Sequence, residues 1–295
     1  ALKMLPTQLA LSQEFLERLS LSSSETEVSR LAKTLLQEKF AIITVLPEEF
    51  SATCKILNLR QSKAAERYYH YGRVGSSVTG QQRLVVCGKC RAKGNISAGQ
   101  LANDILTSWR PSCLLLVGIA GGVKGREGLL LGDVVVGDQL VYYEMRKLSD
   151  GKEKERSIRL AQPSPRLLDA ADSIVGANVP WWRRIEVQRP NRKAAIPKLL
   201  RGTILSGEKL FGDPKAKIMK DLLGQYDKAL AIDMESAGVA NAIWEKSSVQ
   251  QAEFLIVRGI SDYCNERGNQ ETRNKWKVYA AHSAAAAAFA IIQNT

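Results

Sequence analysis

Residues 40–58 read FAIITVLPEEFSATCKILN. Phe40 to Leu46 is a near-continuous apolar run, the composition of a strand buried on both faces. The segment from Pro47 onward then starts a helix, with Glu48 and Glu49 suited to the positive end of its dipole. A buried strand feeding straight into a helix is the unit of an α/β sheet, and the pattern recurs downstream. RYYHYGRVGS and RLVVCGKC read as strands joined near Gly80, and NISAGQLANDILTSW reads as a helix begun by an asparagine cap. CLLLVGIAGG and GDVVVGDQLVYYE are strands, RGTILSGEKLF is a strand and turn, and ALAIDMESAGVANAIWE is a short strand running into a helix. EFLIVRGISD is a further strand, and the alanine-rich AAHSAAAAAFAII belongs to a buried closing helix. Residues 149–200 are polar, basic and proline-containing, and read as loops around one helix at SPRLLDAADSIV.

Strands alternating with helices predict an α/β fold: one domain over residues 39–295 with a mixed, mostly parallel central sheet flanked by helices. Residues 1–38 are expected to be an N-terminal helical extension. Ser24 and Glu27 have capping-box spacing, and Val28, Leu31 and Leu35 share a face. A chain that begins with Ala1 reads as processed or as a fragment, with neighbouring domains in a longer chain among its expected partners.

The composition, 45% hydrophobic and 24% charged over 295 residues, is that of a globular chain with a sizeable core. No apolar run reaches the length of a membrane span, and no signal pattern opens the chain. Five cysteines, at 54, 87, 90, 113 and 264, read as reduced thiols of a cytoplasmic protein. Cys87 and Cys90 form a C-x-x-C without the second pair or histidine cluster that a zinc site needs, so no metal is expected. His70 and His282 sit in no nucleophile motif and read as structural.

The net charge is +12, and residues 181–220 carry 11 Lys/Arg against 3 Asp/Glu. That excess suits an anionic partner such as a phosphorylated small molecule. No nucleic-acid motif accompanies it, so nucleic acid is not an expected partner.

Open α/β sheets bind ligands beyond the carboxyl ends of their strands. Those positions hold Glu48 and Glu49; Ile119, Ala120, Gly121 and Gly122; Glu208, Lys209, Leu210 and Phe211; Asp233, Met234 and Glu235; and Ser261 and Asp262. Each has a plain structural reading. The acids after Pro47 suit a first helical turn, Asp233 suits a helix cap, Ser261-Asp262 suits a turn, and GIAGG suits a tight bend. Together they put several carboxylates around one pocket, where mutual repulsion and burial separate acid from base. Cleavage of a sugar–base N-glycosidic bond needs that set: an acid for the leaving base, a carboxylate at the ribose hydroxyls, and a group that activates water.

VGIAGGV with LGDVVV, AIDMESAGVA and VRGISD, in this order, resemble the purine/uridine phosphorylase superfamily, and within it the methylthioadenosine/S-adenosylhomocysteine nucleosidase branch. The resemblance runs from about residue 40 to 293. It implies hydrolysis of the N-glycosidic bond of an adenine nucleoside or nucleotide, with no metal or organic cofactor and a homodimeric assembly. By motif it implies that Asp262 protonates the purine, that Ser261 orients it, and that Glu235 binds the ribose hydroxyls with Met234 under the sugar. Glu49 would activate water, Leu210 or Phe211 would meet the base, and Arg258 would brace the loop. Ile119 stands where many members carry Ser or Thr, and Asn265 replaces a second acid. Leu115 to Val117 include no arginine of the kind that hexameric phosphorylases use for phosphate, which favours hydrolysis over the alternative, phosphorolysis. A further alternative is a nucleotide-sensing module with little turnover. Lys209 and the basic residues near it are the candidate contact for a 5′-phosphate.

Overall fold

The structure is a computed structural model that describes residues 38–61, 69–149, 152–156, 158–191, 196–209 and 217–295. The chain divides into Ala1–Glu38 and Lys39–Thr295, and the account below concerns the second unit. The helices expected within residues 1–38, and the candidate base contacts Leu210 and Phe211, lie outside the described residues.

Among the described residues, eleven strands and six α-helices follow in chain order: β1 (Lys39–Thr44), α1 (Pro47–Ile56), β2 (Arg60–Gln61), β3 (His70–Gly75), β4 (Gln82–Lys89), α2 (Asn95–Trp109), β5 (Cys113–Gly122), β6 (Val134–Tyr142), β7 (Arg146–Ser149), β8 (Lys152–Glu155), α3 (Pro165–Gly176), β9 (Leu199–Ser206), α4 (Lys217–Gln225), β10 (Ala229–Asp233), α5 (Ser236–Lys246), β11 (Glu253–Tyr263) and α6 (Asn269–Gln293). Nine strands form one sheet in the order β10-β9-β6-β11-β5-β1-β4-β3-β2. β1 pairs parallel with both β4 and β5, and β5 pairs parallel with β11. The expected mixed α/β sheet flanked by helices is therefore present.

Alternation within β1 sorts the helices into layers. Phe40 and Ile42 belong to a core shared with α1, α3 and α6, while Ala41 and Ile43 belong to a core shared with α2 and α5. Each large apolar side chain so buried contributes about 1.5–3 kcal/mol. The alanines of α6 let that helix lie directly on the sheet. A Cβ on Gly259 of β11 would sit 2.0 Å from the Ala280 carbonyl oxygen. On the other face a Cβ on Gly238 would sit 1.9 Å from the Asn95 carbonyl oxygen, so α5 and α2 touch backbone to backbone.

The sheet also closes on itself. β10 pairs with β9 and, antiparallel, with the end of β5, where Ala231 and Ile232 face Gly122 and Gly121. β5, β11, β6, β9 and β10 thus form a ring. The GIAGG segment is part of β5 rather than the bend its glycines suggest, because its last residues are paired on both sides.

Three other local expectations change. β11 does not stop before Ser261-Asp262 but runs to Tyr263, and its register against β5 shifts between Ile260 and Asp262. Ser261 is the extra residue of that bulge, a device that re-aims side chains next to sites. Asn95 is the first residue of α2 and does not cap it, since Gly94 occupies the cap. The 146–155 region holds a hairpin, β7 with β8, and α4 occupies a stretch that carries no strong sequence signal.

Candidate functional site

β1, β5 and β11 are parallel neighbours, and β10 closes against β5, so their carboxyl ends converge. From there Glu49, Ile119, Asp233, Glu235, Arg258, Ser261 and Asp262 reach one region.

Glu49 stands in the first turn of α1 and is buried. Its Oε2 accepts from the Val45 and Leu46 amides at 2.7 and 2.9 Å, and its Oε1 accepts from the Ile119 amide at 2.9 Å. The helix-start role read for this acid is therefore real, and it also ties the end of β1 to β5. Burial pushes the Glu49 carboxyl above its usual range, while the Arg258 charge and the three amides pull it back. Ile119 serves through its main-chain N–H, so a side-chain hydroxyl is not needed for this contact.

Arg258, fully buried, is the hub. Its Nε and Nη2 donate to Asp233 Oδ2 at 2.9 and 2.7 Å, and Nη2 lies 3.4 Å from Glu235 Oε2. Asp233 also accepts from the Glu235 and Ser236 amides and from the Ser236 hydroxyl, so it holds the start of α5, although Glu235 and not Asp233 occupies the cap. Arg258 Nη1 is a buried donor with no hydrogen-bond partner. Gly118 lets both groups pack against the backbone of β5: a Cβ there would stand 2.6 Å from this Nη1, 2.6 Å from Glu49 Oε1 and 2.7 Å from Glu49 Cδ. A free cationic donor and a basic carboxylate oxygen thus stand side by side over this glycine.

Glu235 Oε1 accepts from the Gly94 amide at 3.0 Å. Asn95 fixes that amide: its side chain donates to the Gly207 carbonyl and to Glu208, and accepts from the Gly238 amide at 2.8 Å. Burial, helped by the Asp233 and Glu49 charges and opposed by Arg258 and the Gly94 amide, pushes the Glu235 carboxyl up to about 7. Met234 beside it is half-buried.

Asp262 is built differently. Its Oδ1 accepts from the Ser261 hydroxyl at 2.7 Å and from Arg273 Nε at 3.1 Å, and Arg273 Nη2 lies 3.4 Å from Oδ2. The Ser261 hydroxyl also stands 3.4 Å from the Ala120 carbonyl. Gly121 pairs with Asp262 across the sheet, and a Cβ there would stand 3.5 Å from Asp262 Oδ2. Burial and the Asp262 charge push the neighbouring Cys264 thiol up to about 12. Asn265 exchanges hydrogen bonds with the Lys124 backbone, fastening the end of β11 to the loop after β5.

Sequence reasoning missed Arg273, Gly94, Asn95 and Gly118. Arg273 lies in a charged stretch with no distinguishing signal, and Gly94 acts through a backbone amide. Lys209, the candidate phosphate contact, is ion-paired with Glu144. His70 packs edge-on against Phe50, and His282 is buried in α6.

The phosphorylase superfamily model matches residues 39–294. An ATP nucleosidase, Cap17, from Escherichia coli is 28% identical over 85% of this chain and 49% of its own length. The chain thus spans about half the length of that relative. A 5′-methylthioadenosine/S-adenosylhomocysteine nucleosidase from Geobacillus thermodenitrificans is 26% identical over 65% of this chain and 72% of its own. Among solved structures, the 5′-methylthioadenosine/S-adenosylhomocysteine nucleosidase of Neisseria meningitidis, in complex with methylthio-immucillin-A, aligns with a TM-score of 0.66 at 16% identity. That alignment covers 88% of this chain and all of the other, and it shows the shared fold.

Proposed function

The chain belongs to the phosphorylase superfamily, and from that premise we propose that it hydrolyses the N-glycosidic bond of an adenine nucleoside or nucleotide. The observation that carries this reading is the buried, unpartnered Arg258 Nη1 standing beside Glu49 Oε1 over Gly118. A water seated between them donates to Glu49 and accepts from Arg258, which leaves a lone pair for C1′. Glu49 takes the water proton as the C–O bond forms, and burial raises its basicity for that task. Glu235 in its ionised form holds the ribose hydroxyls and offsets the positive charge growing on the sugar. Asp262, oriented by Ser261, gives a proton to the purine as the C1′–N bond breaks and its electron pair leaves with the base. The base competes with Arg273 for Asp262, most easily at Oδ2, where the contact is longest. Met234, Ala120 and Gly121 line the sugar and base positions.

Phosphorolysis is less well supported. The cation at the water position is already ion-paired with two carboxylates, Asp233 and Glu235, and Leu115 to Val117 bring no second one. The relatives differ by name in what their substrate carries at its 5′ end, ATP in one and a methylthio or homocysteine group in the other. The reading includes a homodimer in the cytoplasm, testable by light scattering and fractionation.

Incubation with adenosine, methylthioadenosine, AMP and ATP, with and without phosphate, should release adenine in the absence of phosphate. Release only with phosphate, with ribose 1-phosphate as co-product, would replace the hydrolase by a phosphorylase. Saturable binding without release would replace it by a sensing module.

A further inference from the structure

The loop between β4 and α2 contains the C-x-x-C segment, but its thiols are not its surface. Cys87 and Cys90 are buried, whereas Arg91 and Lys93 are exposed and Lys89 is half-buried. Among the described residues, neither Arg91 nor Lys93 is in ion-pair contact with a carboxylate. Lys93 precedes Gly94, whose amide holds Glu235. Glu48, which precedes Glu49, is ion-paired with Lys277 of α6. The Lys277 hydrogen bond chiefly, with smaller pulls from its charge and from that of Lys93, holds the Glu48 carboxyl below its usual range. One helical turn from Lys277, Arg273 forks onto Asp262. The rim of the pocket thus carries Arg273 on Asp262, Lys277 on Glu48, and Lys93 next to the Gly94 amide that holds Glu235.

The interior of the pocket has the opposite sign. Glu49, Asp233, Glu235 and Asp262 face Arg258 and Arg273, four carboxylates against two guanidiniums. A neutral nucleoside has no use for compensating cations outside this cluster, but a polyanion does, because acids in a low-dielectric cleft repel it on approach. With the base toward Asp262, C1′ at Glu49 and the ribose hydroxyls on Glu235, the 5′ substituent is the part left to meet the rim. Lys209 and Lys277, by contrast, already have Glu144 and Glu48.

We propose that Lys93 and Arg91, with Lys89, receive the 5′-phosphates of the substrate, so that the substrate class of this site is the adenine nucleotide rather than the nucleoside. The inference rests on the hydrolase reading above. Its test compares adenine release from ATP and from adenosine by the wild type, by the double variant Arg91→Ala/Lys93→Ala, and by Lys209→Ala. In the double variant, the ratio of kcat/KM for ATP to that for adenosine should fall at least about tenfold, chiefly through KM, as expected for lost charge-assisted contacts. The salt dependence of the ATP KM should shrink with it. A ratio within twofold of wild type overturns the proposal, as does a fall confined to Lys209→Ala. If the wild type releases adenine from neither compound, the hydrolase reading has failed and calorimetric ATP binding decides the rim separately. A Kd weakened at least about tenfold in the double variant upholds it, and an unchanged Kd overturns it.

Discussion

The pocket handles charge in two ways. At its Arg258 side, one fully buried guanidinium serves Asp233 and Glu235 and faces Glu49, and every carboxylate is also fixed by backbone amides. At its Asp262 side, a single carboxylate is held by a neighbouring hydroxyl and by an arginine that keeps some exposure to solvent. The first arrangement is a scaffold that holds its charges in place. The second is a handle that a ligand can take over. Fixed charge suits water activation and sugar binding, where the geometry must not move. A replaceable partner suits a group that must pass a proton to a leaving base.

The largest effect should come from the handle. Asp262→Asn keeps the shape of the side chain and removes the transferable proton, so adenine release should fall about 10²–10⁴-fold with little change in thermal stability. Activity within tenfold of wild type would overturn the acid assignment. The scaffold should respond in the opposite sense. Arg258→Met strands Asp233 and Glu235 without their cation, and urea unfolding should show a loss of about 3–5 kcal/mol. Arg273→Met should cost about 1 kcal/mol, because one carboxylate loses a partner and keeps its hydroxyl. Equal losses in the two variants would erase the distinction between the sides.

The same contrast decides what the sequence can reveal. β1, β5 and β11 are buried on both faces and spell themselves out as apolar runs, and Glu49, Glu235 and Asp262 stand at motif positions near their ends. The hairpin of β7 and β8 was not legible, because its strands are polar and charged rather than alternating. α4 buries only Met219 and Leu222 over nine residues, too short a pattern to stand out. At the site, what escaped notice acts mainly through the backbone or through space: the Gly94 and Ile119 amides, and the missing Cβ of Gly118. Arg273 escaped for another reason, being one cation in a run of charged residues on a helix start.

Gly118 offers a narrower probe of the scaffold. In Gly118→Ala the new Cβ would stand 2.6 Å from Arg258 Nη1 and Glu49 Oε1 and 2.7 Å from Glu49 Cδ, so both side chains must shift. It moves the two groups that hold the proposed water without removing any charge. kcat should fall about 10–100-fold while KM changes less than threefold, since a lost transition-state contact lowers kcat and leaves ground-state binding largely intact. A raised KM with unchanged kcat would place the two groups on the substrate's path rather than the water's.

The smallest effect is a pH signature of the scaffold. The Glu235 carboxyl is pushed up to about 7 in the folded protein against 4.5 as its ordinary value, because burial disfavours the anion, with the Asp233 and Glu49 charges adding to it against the pull of Arg258. Between those two values the folded state binds more protons at this group than the unfolded state does. Stability from this group is therefore full below about pH 4.5, falls as pH rises through about 7, and is level above that. Tm of the wild type minus Tm of Glu235→Gln should decline by a few degrees across that window and then flatten. Activity should run the other way. The ribose clamp needs the carboxylate, so kcat/KM should rise with pH through an apparent pKa near 7 in the wild type, and that limb should be absent from whatever activity Glu235→Gln retains. A difference in Tm that grows with pH would mean that Arg258 holds Glu235 ionised throughout. The two sides of the pocket would then differ in rigidity alone, not in protonation.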